Sequence, residues 1–150
     1  MALPTSIELQ IVTPDRAIVK EQVDEVEIPG VDGYFGVLPG HTPLLAALSV
    51  GELWYRKGQE KTYLAIAYGF AEVLPERVTI LAQLAERAEE IEVERAEAAL
   101  ARASKRLDER SEVDFARARI ALMKSMTRLQ VSSRIASGAG PRLKRIREGS

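Results

Sequence analysis

The stretch Val78–Leu107, VTILAQLAERAEEIEVERAEAALARASKRL, changes its hydrophobic period partway through. Val78 and Ile80 flank Thr79, an alternation that fits a strand. From Ile91 onward, Ala96, Leu100, Ala103 and Leu107 instead fall on one stripe of a helix. The switch near residue 85 divides the chain into two units of different construction.

Upstream of the switch the alternation repeats. Ile7, Leu9 and Ile11 are separated by Glu8 and Gln10, and Val26 and Ile28 by Glu27. Leu53 and Tyr55 lead into the turn Arg56-Lys57-Gly58-Gln59. Short period-two runs punctuated by Gly and Pro predict an antiparallel β-sandwich over residues 1–85. Tyr63 to Phe70 is apolar on both faces, which predicts a central strand.

Downstream, Phe115, Ala118, Leu122, Met126 and Leu129 form a second helical stripe. A polar break, Leu107 to Ser111, separates it from the first, and Ser111 with Asp114 has the spacing of a capping box. The expected fold class is therefore α+β: the sandwich, then an antiparallel two-helix hairpin over residues 86–136. The hairpin is rich in alanine and buries little area of its own, so it depends on docking for stability and is expected to move. Residues 137–150, SGAGPRLKRIREGS, read as a basic solvated tail.

Composition narrows the chemistry. With no cysteine and one histidine, nitrogen and sulfur ligands are too few for a transition-metal site. The net charge of -1 argues against general nucleic-acid binding. Met1 to Thr13 lacks the pattern of a signal peptide, and no run is apolar for the roughly 20 residues needed to span a bilayer. The expectation is a soluble, cytoplasmic chain. Charge is nonetheless uneven: 6 Lys and Arg face 11 Asp and Glu up to residue 85, against 15 and 11 beyond it.

Two constellations stand out. GYFGVLPGHTPLL, Gly33 to Leu45, sets the lone His41 in a loop stiffened by two prolines. Catalysis by His41 would need a nucleophile or carboxylate partner, and neither a GxSxG elbow nor an HExxH helix is present. A pre-ordered contact loop is the stronger reading, because stiffening lowers the entropy lost on docking. The second constellation is basic. Arg95 and Arg102 share one face of the first helix, and Lys124 and Arg128 share one face of the second. Folding the hairpin brings Arg95 opposite Lys124 and Arg128, with Glu86 and Glu92 at the same end. Either this is a solvated face with local Glu–Arg pairs, or it is an anion site. Without a GxxxxGK[ST] loop, such a site would bind a nucleotide rather than hydrolyse it.

With those residues in view, the chain resembles the epsilon subunit of bacterial F-type ATP synthases across about residues 3–135. GYFGVLPGHTPLL resembles that family's G-x-x-G-[IV]-x-P-G-H-x-P-L-[LI] turn. LQIVTP (Leu9 to Pro14), YGFAEVLPERVTILA (Tyr68 to Ala82) and IALMKSMTRL (Ile120 to Leu129) resemble family segments in the same order. The resemblance implies a non-catalytic central-stalk subunit of a proton- or sodium-translocating synthase, peripheral on the cytoplasmic face of the bacterial membrane. It implies that the sandwich docks on the gamma subunit and the membrane rotor ring. It also implies a hairpin that extends toward the alpha/beta catalytic head and inhibits ATP hydrolysis. Carried over by position, the ring contact falls on Asp32, Tyr34 and His41, with Tyr34 where relatives carry an acid. No cofactor is required, and ATP is a candidate regulatory ligand. The family's [IL]-D-x-x-R-A motif matches Ile91 to Ala96, IEVERA, and the implied ATP site is Glu86, Glu92, Arg95, Arg102, Lys124 and Arg128. Glu92 replaces the motif's aspartate, and Lys124 replaces an arginine, losing a planar fork for phosphate. The competing readings are a stand-alone nucleotide-sensing module and a sandwich enzyme using His41.

Overall fold

A computed structural model describes residues 3–108 and 112–136. The capping box at Ser111 and Asp114 and the tail 137–150 lie outside the residues whose side chains it describes. Seven strands come first: β1 (Ile7–Val12), β2 (Ala17–Val23), β3 (Glu25–Gly30), β4 (Gly33–Val37), β5 (Leu44–Lys57), β6 (Glu60–Val73) and β7 (Arg77–Arg87). A 3-10 turn (Ala88–Glu90) leads to α1 (Val93–Leu107) and α2 (Glu112–Ala136). The fold class is the one the periodicity predicts.

The strands form one sheet in the order β2-β1-β7-β6-β5-β3-β4. Neighbours are antiparallel except β1 and β7, which run parallel. Side chains from all seven strands meet in a single core, among them Leu9, Val23, Ile28, Val37, Leu53, Ile66 and Ile80. A flat sheet could not bring its two edges to one core, so the sheet curls over itself into a sandwich.

The three long strands share a change of phase. In β7, Val78, Ile80 and Ala82 are buried, then Ala85, three residues on. In β6, Val73 and Ala71 join the core at one end, and Ile66 and Leu64 at the other. In β5 the inward residues pass from Leu48 to Leu53. The pairing register runs unbroken through all three strands, so each strand turns over without slipping. Tyr68 carries the turn in β6, with φ of 58°, followed by Gly69 at 131°. A bulky residue with positive φ is costly, and here the surrounding ladders impose it.

This turnover gives the long strands two different outer faces. On one side of the kink that face is open to solvent. On the other it carries Tyr63, Ala65 and Ala88, which form a second cluster with Val131 of α2 and partly buried Trp54, Ile91 and Ile135. Tyr63 to Ala67 is therefore buried on both faces because the hairpin covers the side away from the sandwich core.

Within the hairpin, Ala96 and Ala103 of α1 are buried, with Leu100 and Leu107 partly so, as the first stripe predicts. The second stripe needs correction. Ala118 is buried and Leu122 and Leu129 are partly buried, but Phe115 and Met126 are 47% and 55% exposed. Ser125 and Val131 are buried instead. The cause is that α2 packs against both α1 and the sandwich, so its covered arc is broad and displaced from the apolar stripe. Ala118 and Ser125 repeat the seven-residue spacing of Ala96 and Ala103, small residues that let two helices approach closely.

Candidate functional site

An open cleft of about 300 Å³ lies where α1, α2, β7 and the interdomain linker meet. Glu86 reaches it from the end of β7, Glu90 and Glu92 from the linker, Arg95 and Arg102 from α1, and Arg128 from α2. Ile91, Ala96 and Ala99 supply its apolar floor. Seven residues separate Arg95 from Arg102, nearly two helical turns, which keeps both guanidinium groups on the cleft side.

Three arginines converging on one concavity suit a polyanion, since guanidinium groups grip phosphate oxygens in pairs. Carboxylates presently meet two of them. Arg128 Nε donates to Glu86 Oε1 at 2.5 Å, and Arg95 Nη1 lies 3.6 Å from Glu92 Oε1. The first pair is about 70% buried and joins the hairpin to the sandwich; the second is an exposed i,i+3 pair worth little. Among the described residues, no carboxylate lies within ion-pair distance of Arg102. The geometry thus contains both the local Glu–Arg pairing and the anion-competent concavity that spacing allows.

The linker is pinned beside the cleft. Arg16 Nη2, from the β1–β2 loop, donates to Glu90 Oε2 at 2.7 Å, and Arg87 N–H donates to Glu90 Oε1 at 3.0 Å. Burial pushes the Glu90 carboxyl up. The hydrogen bonds and charge from Arg16 and Arg87 more than offset that, holding it below its ordinary value.

Of the six expected site residues, the structure brings five to the cleft and separates Lys124. Its Nζ lies 5.8 Å from the centre of the Tyr68 ring, a long cation–π contact at the β6 kink. Lys124 and Arg128 share a helix face, but one turn along α2 replaces the end of β7 by the middle of β6 as the surface opposite. Sequence spacing fixes the face; it does not fix the level.

Asp32 and Tyr34 lie two residues apart at the β3–β4 turn, whereas His41 lies past the other end of β4. Asp32 is exposed in the turn between β3 and β4. Tyr34, at the start of β4, lies over Gly51, and its hydroxyl accepts the Glu52 N–H at 3.1 Å. Glycine suits the position beneath it, since a Cβ at position 51 would sit 2.5 Å from that hydroxyl and 2.7 Å from the Pro29 Cβ. His41 lies in the β4–β5 loop, which Gly40 N–H anchors to the Pro75 carbonyl at 2.7 Å. Its Nδ1 lies 2.6 Å from the Thr42 carbonyl, which can only accept, so Nδ1 bears the proton.

Two further features escape sequence reading. On the open outer face, Ala47, Phe70, Leu81 and Val12 align across four neighbouring strands by register. Phe70 and Leu81 are 56% and 53% exposed, and with Pro14 they line a shallow apolar recess of about 390 Å³. On the covered face, the buried Glu52 of β5 takes two hydrogen bonds from Arg134 and one from Gln130, both on α2. The one available signal is a glutamate inside the otherwise apolar run SVGELWY. Among the described residues there is no cluster of three or more potential metal ligands, and no helix long and apolar enough to cross a membrane.

Comparison with known proteins agrees with this architecture part by part. Residues 6–88 match the beta-sandwich domain of the ATP synthase delta/epsilon chain, and residues 89–133 match its long alpha-helix domain. The chain is 51% identical to the ATP synthase epsilon chain of Syntrophobacter fumaroxidans over 129 residues, covering 85% of this chain and 96% of that one. It is 55% identical to the epsilon chain of Koribacter versatilis over 102 residues, 68% and 72% of the two chains. A chain in the Euglena gracilis mitochondrial ATP synthase, solved as an OSCP/F1/c-ring assembly, superposes with a TM-score of 0.77 at 29% identity, covering 85% of this chain and 81% of that chain. Sandwich, hairpin and sequence agree over nearly the whole described length, and the chain belongs to the ATP synthase epsilon-chain family.

Proposed function

We propose that this epsilon chain couples the catalytic head of an ATP synthase to its rotor ring and restrains ATP hydrolysis through its hairpin. The sandwich would meet the gamma subunit through the row Ala47–Phe70–Leu81–Val12, an exposed apolar feature of its open face. The turn carrying Asp32 and Tyr34 and the loop carrying His41 would face the rotor ring. The coupling ion is a proton or sodium, and the subunit works peripherally at the cytoplasmic face of the membrane. Extended, the hairpin would reach the alpha/beta head and block rotation in the hydrolysis direction.

The observation that carries the regulatory part is the composition of the cleft. Glu86 belongs to the sandwich and Arg128 to α2, so the cleft is complete only while the hairpin lies folded. A polyanion held by Arg95, Arg102 and Arg128 therefore binds the compact form better than the extended one, and shifts the population toward it. ATP fits that role, acting as a regulatory ligand with no hydrolysis required of this chain.

Two measurements test the reading. Titration of the full chain with ATP should show saturable binding, weakened about tenfold or more in Arg128→Ala, the loss expected for a charge-assisted bond to phosphate. In the reassembled synthase, a chain ending at Glu90 should retain assembly and raise hydrolysis. That stop spares β7, which pairs through Arg87, and the Arg16–Glu90 tether. Undiminished binding in Arg128→Ala would remove the ATP site, and unchanged hydrolysis with the shortened chain would remove the gating role.

A further inference from the structure

The hairpin's hold on the sandwich is uneven. α1 packs on α2, whereas α2 packs on β5, β6 and the 3-10 turn. Within that contact lies a carboxylate in an unusual position. Glu52 sits mid-strand on the outer face of β5, yet its side chain is 7% exposed, because the end of α2 covers it. Arg134 addresses it with two parallel bonds, Nε to Oε2 and Nη2 to Oε1, each 2.8 Å. Gln130, one turn earlier, donates to Oε1 at 3.3 Å. The guanidinium also lies 5.0 Å from the centre of the Tyr63 ring, with Val131 and Ile135 in the same cluster. None of these residues lines the arginine cleft.

The geometry points to Glu52 as a catch for the hairpin, a ligand-independent determinant of the compact state that acts through Arg134. Docking strips water from the carboxylate, and only the bidentate guanidinium with Gln130 replaces those lost hydrogen bonds. A correctly seated α2 is therefore tolerated, whereas one slipped by a turn leaves a buried charge unpaired. The catch makes docking all-or-none and selects a single register. When the hairpin leaves, both partners regain water, so release is not opposed by a stranded ion. This deepens the proposed gating and rests on the reading that the hairpin leaves the sandwich: the cleft responds to nucleotide, and the catch sets the population from which nucleotide works.

The test compares Arg134→Gln with the Arg134→Gln, Glu52→Gln double variant by hydrogen exchange of α2 amides in the full chain, which reports hairpin opening even when the open form is rare. Arg134→Gln strands Glu52 and should raise opening about 30-fold, while exchange in the sandwich core stays unchanged. Adding Glu52→Gln removes the stranded charge and should recover most of that loss. Opening that changes less than about threefold in Arg134→Gln, or that Glu52→Gln fails to recover, overturns the catch. Faster opening with recovery establishes it whatever the motor does. The same Arg134→Gln chain in the reassembled synthase then addresses gating separately: unaltered hydrolysis despite a released hairpin removes the gating role and leaves the catch intact.

Discussion

Replacing Gly69 by alanine should be among the most damaging single-methyl additions to the sandwich. The φ at Gly69 is 131°, a region essentially restricted to glycine and costing other residues about 1–3 kcal/mol. An added Cβ would also fall 1.9 Å from the Leu81 carbonyl oxygen and 2.9 Å from the Ala82 Cα. Both are backbone atoms of β7, so no side chain can swing aside, and the two strands must separate by roughly 1 Å. Overpacking of this kind costs about 1–3 kcal/mol in addition. Together these give about 4 kcal/mol, which lowers the melting temperature of a unit this size by about 20 °C. Gly36→Ala is the matched control: its Cβ meets nothing within 4 Å and its φ is not positive, so it should fall within about 1 kcal/mol of the parent. Thermal and urea unfolding followed by circular dichroism measure both. A loss below about 1 kcal/mol for Gly69→Ala would refute the idea that paired strands lock the Tyr68–Gly69 kink.

Three other outcomes follow from named groups. Lys124→Ala should leave ATP affinity within about threefold in the titration that Arg128→Ala disrupts, because Lys124 stands over Tyr68 and outside the cleft. Burial, with a 2.8 Å bond donated to Glu21, raises the Tyr55 hydroxyl above its ordinary 10.0. The folded state thus keeps a proton that the unfolded chain loses: the contribution is full below pH 10.0 and declines as pH rises through the folded value. Tyr55→Phe should flatten that alkaline decline in unfolding measurements while costing about 1 kcal/mol at neutral pH. Glu90 has the opposite sign. Its lowered carboxyl contributes stability above its ordinary 4.5, lost as pH falls through the folded value, so Glu90→Gln should flatten the acid limb of a stability–pH curve.

How much of this was legible in the residues depends on what kind of information each feature needs. Strand and helix identities are carried by local period, which separates sheet from hairpin, although β7 itself runs on to Arg87, past the change of period near residue 85. The turnover of β5, β6 and β7 is not local. Tyr68 reads as an ordinary strand residue, and only the ladders on both sides of β6 reveal that it carries a positive φ. The same distinction explains why Tyr63 to Ala67 looks like any central strand. An apolar outer face shows that something covers it, but not that the cover is α2.

The two charged sites show the limit more sharply. Helical spacing placed Arg95, Arg102 and Arg128 on surfaces that do converge, because a helix face is a property of one segment. Whether Lys124 joins them depends on the height of α2 against the sheet, which is set by contacts such as Arg134 with Glu52, 82 residues apart. A glutamate in a strand ordinarily signals solvent, so Glu52 read alone points away from its place under the hairpin. It is the docked α2 that turns the residue from a surface charge into a buried one, and the bidentate fork of Arg134 that makes burial tolerable. The element sequence reading missed is thus the one that fixes the level at which the predicted cations meet. Arg128 reaches Glu86, and Lys124 stops at Tyr68, in the register of α2 that the Glu52 pairing selects.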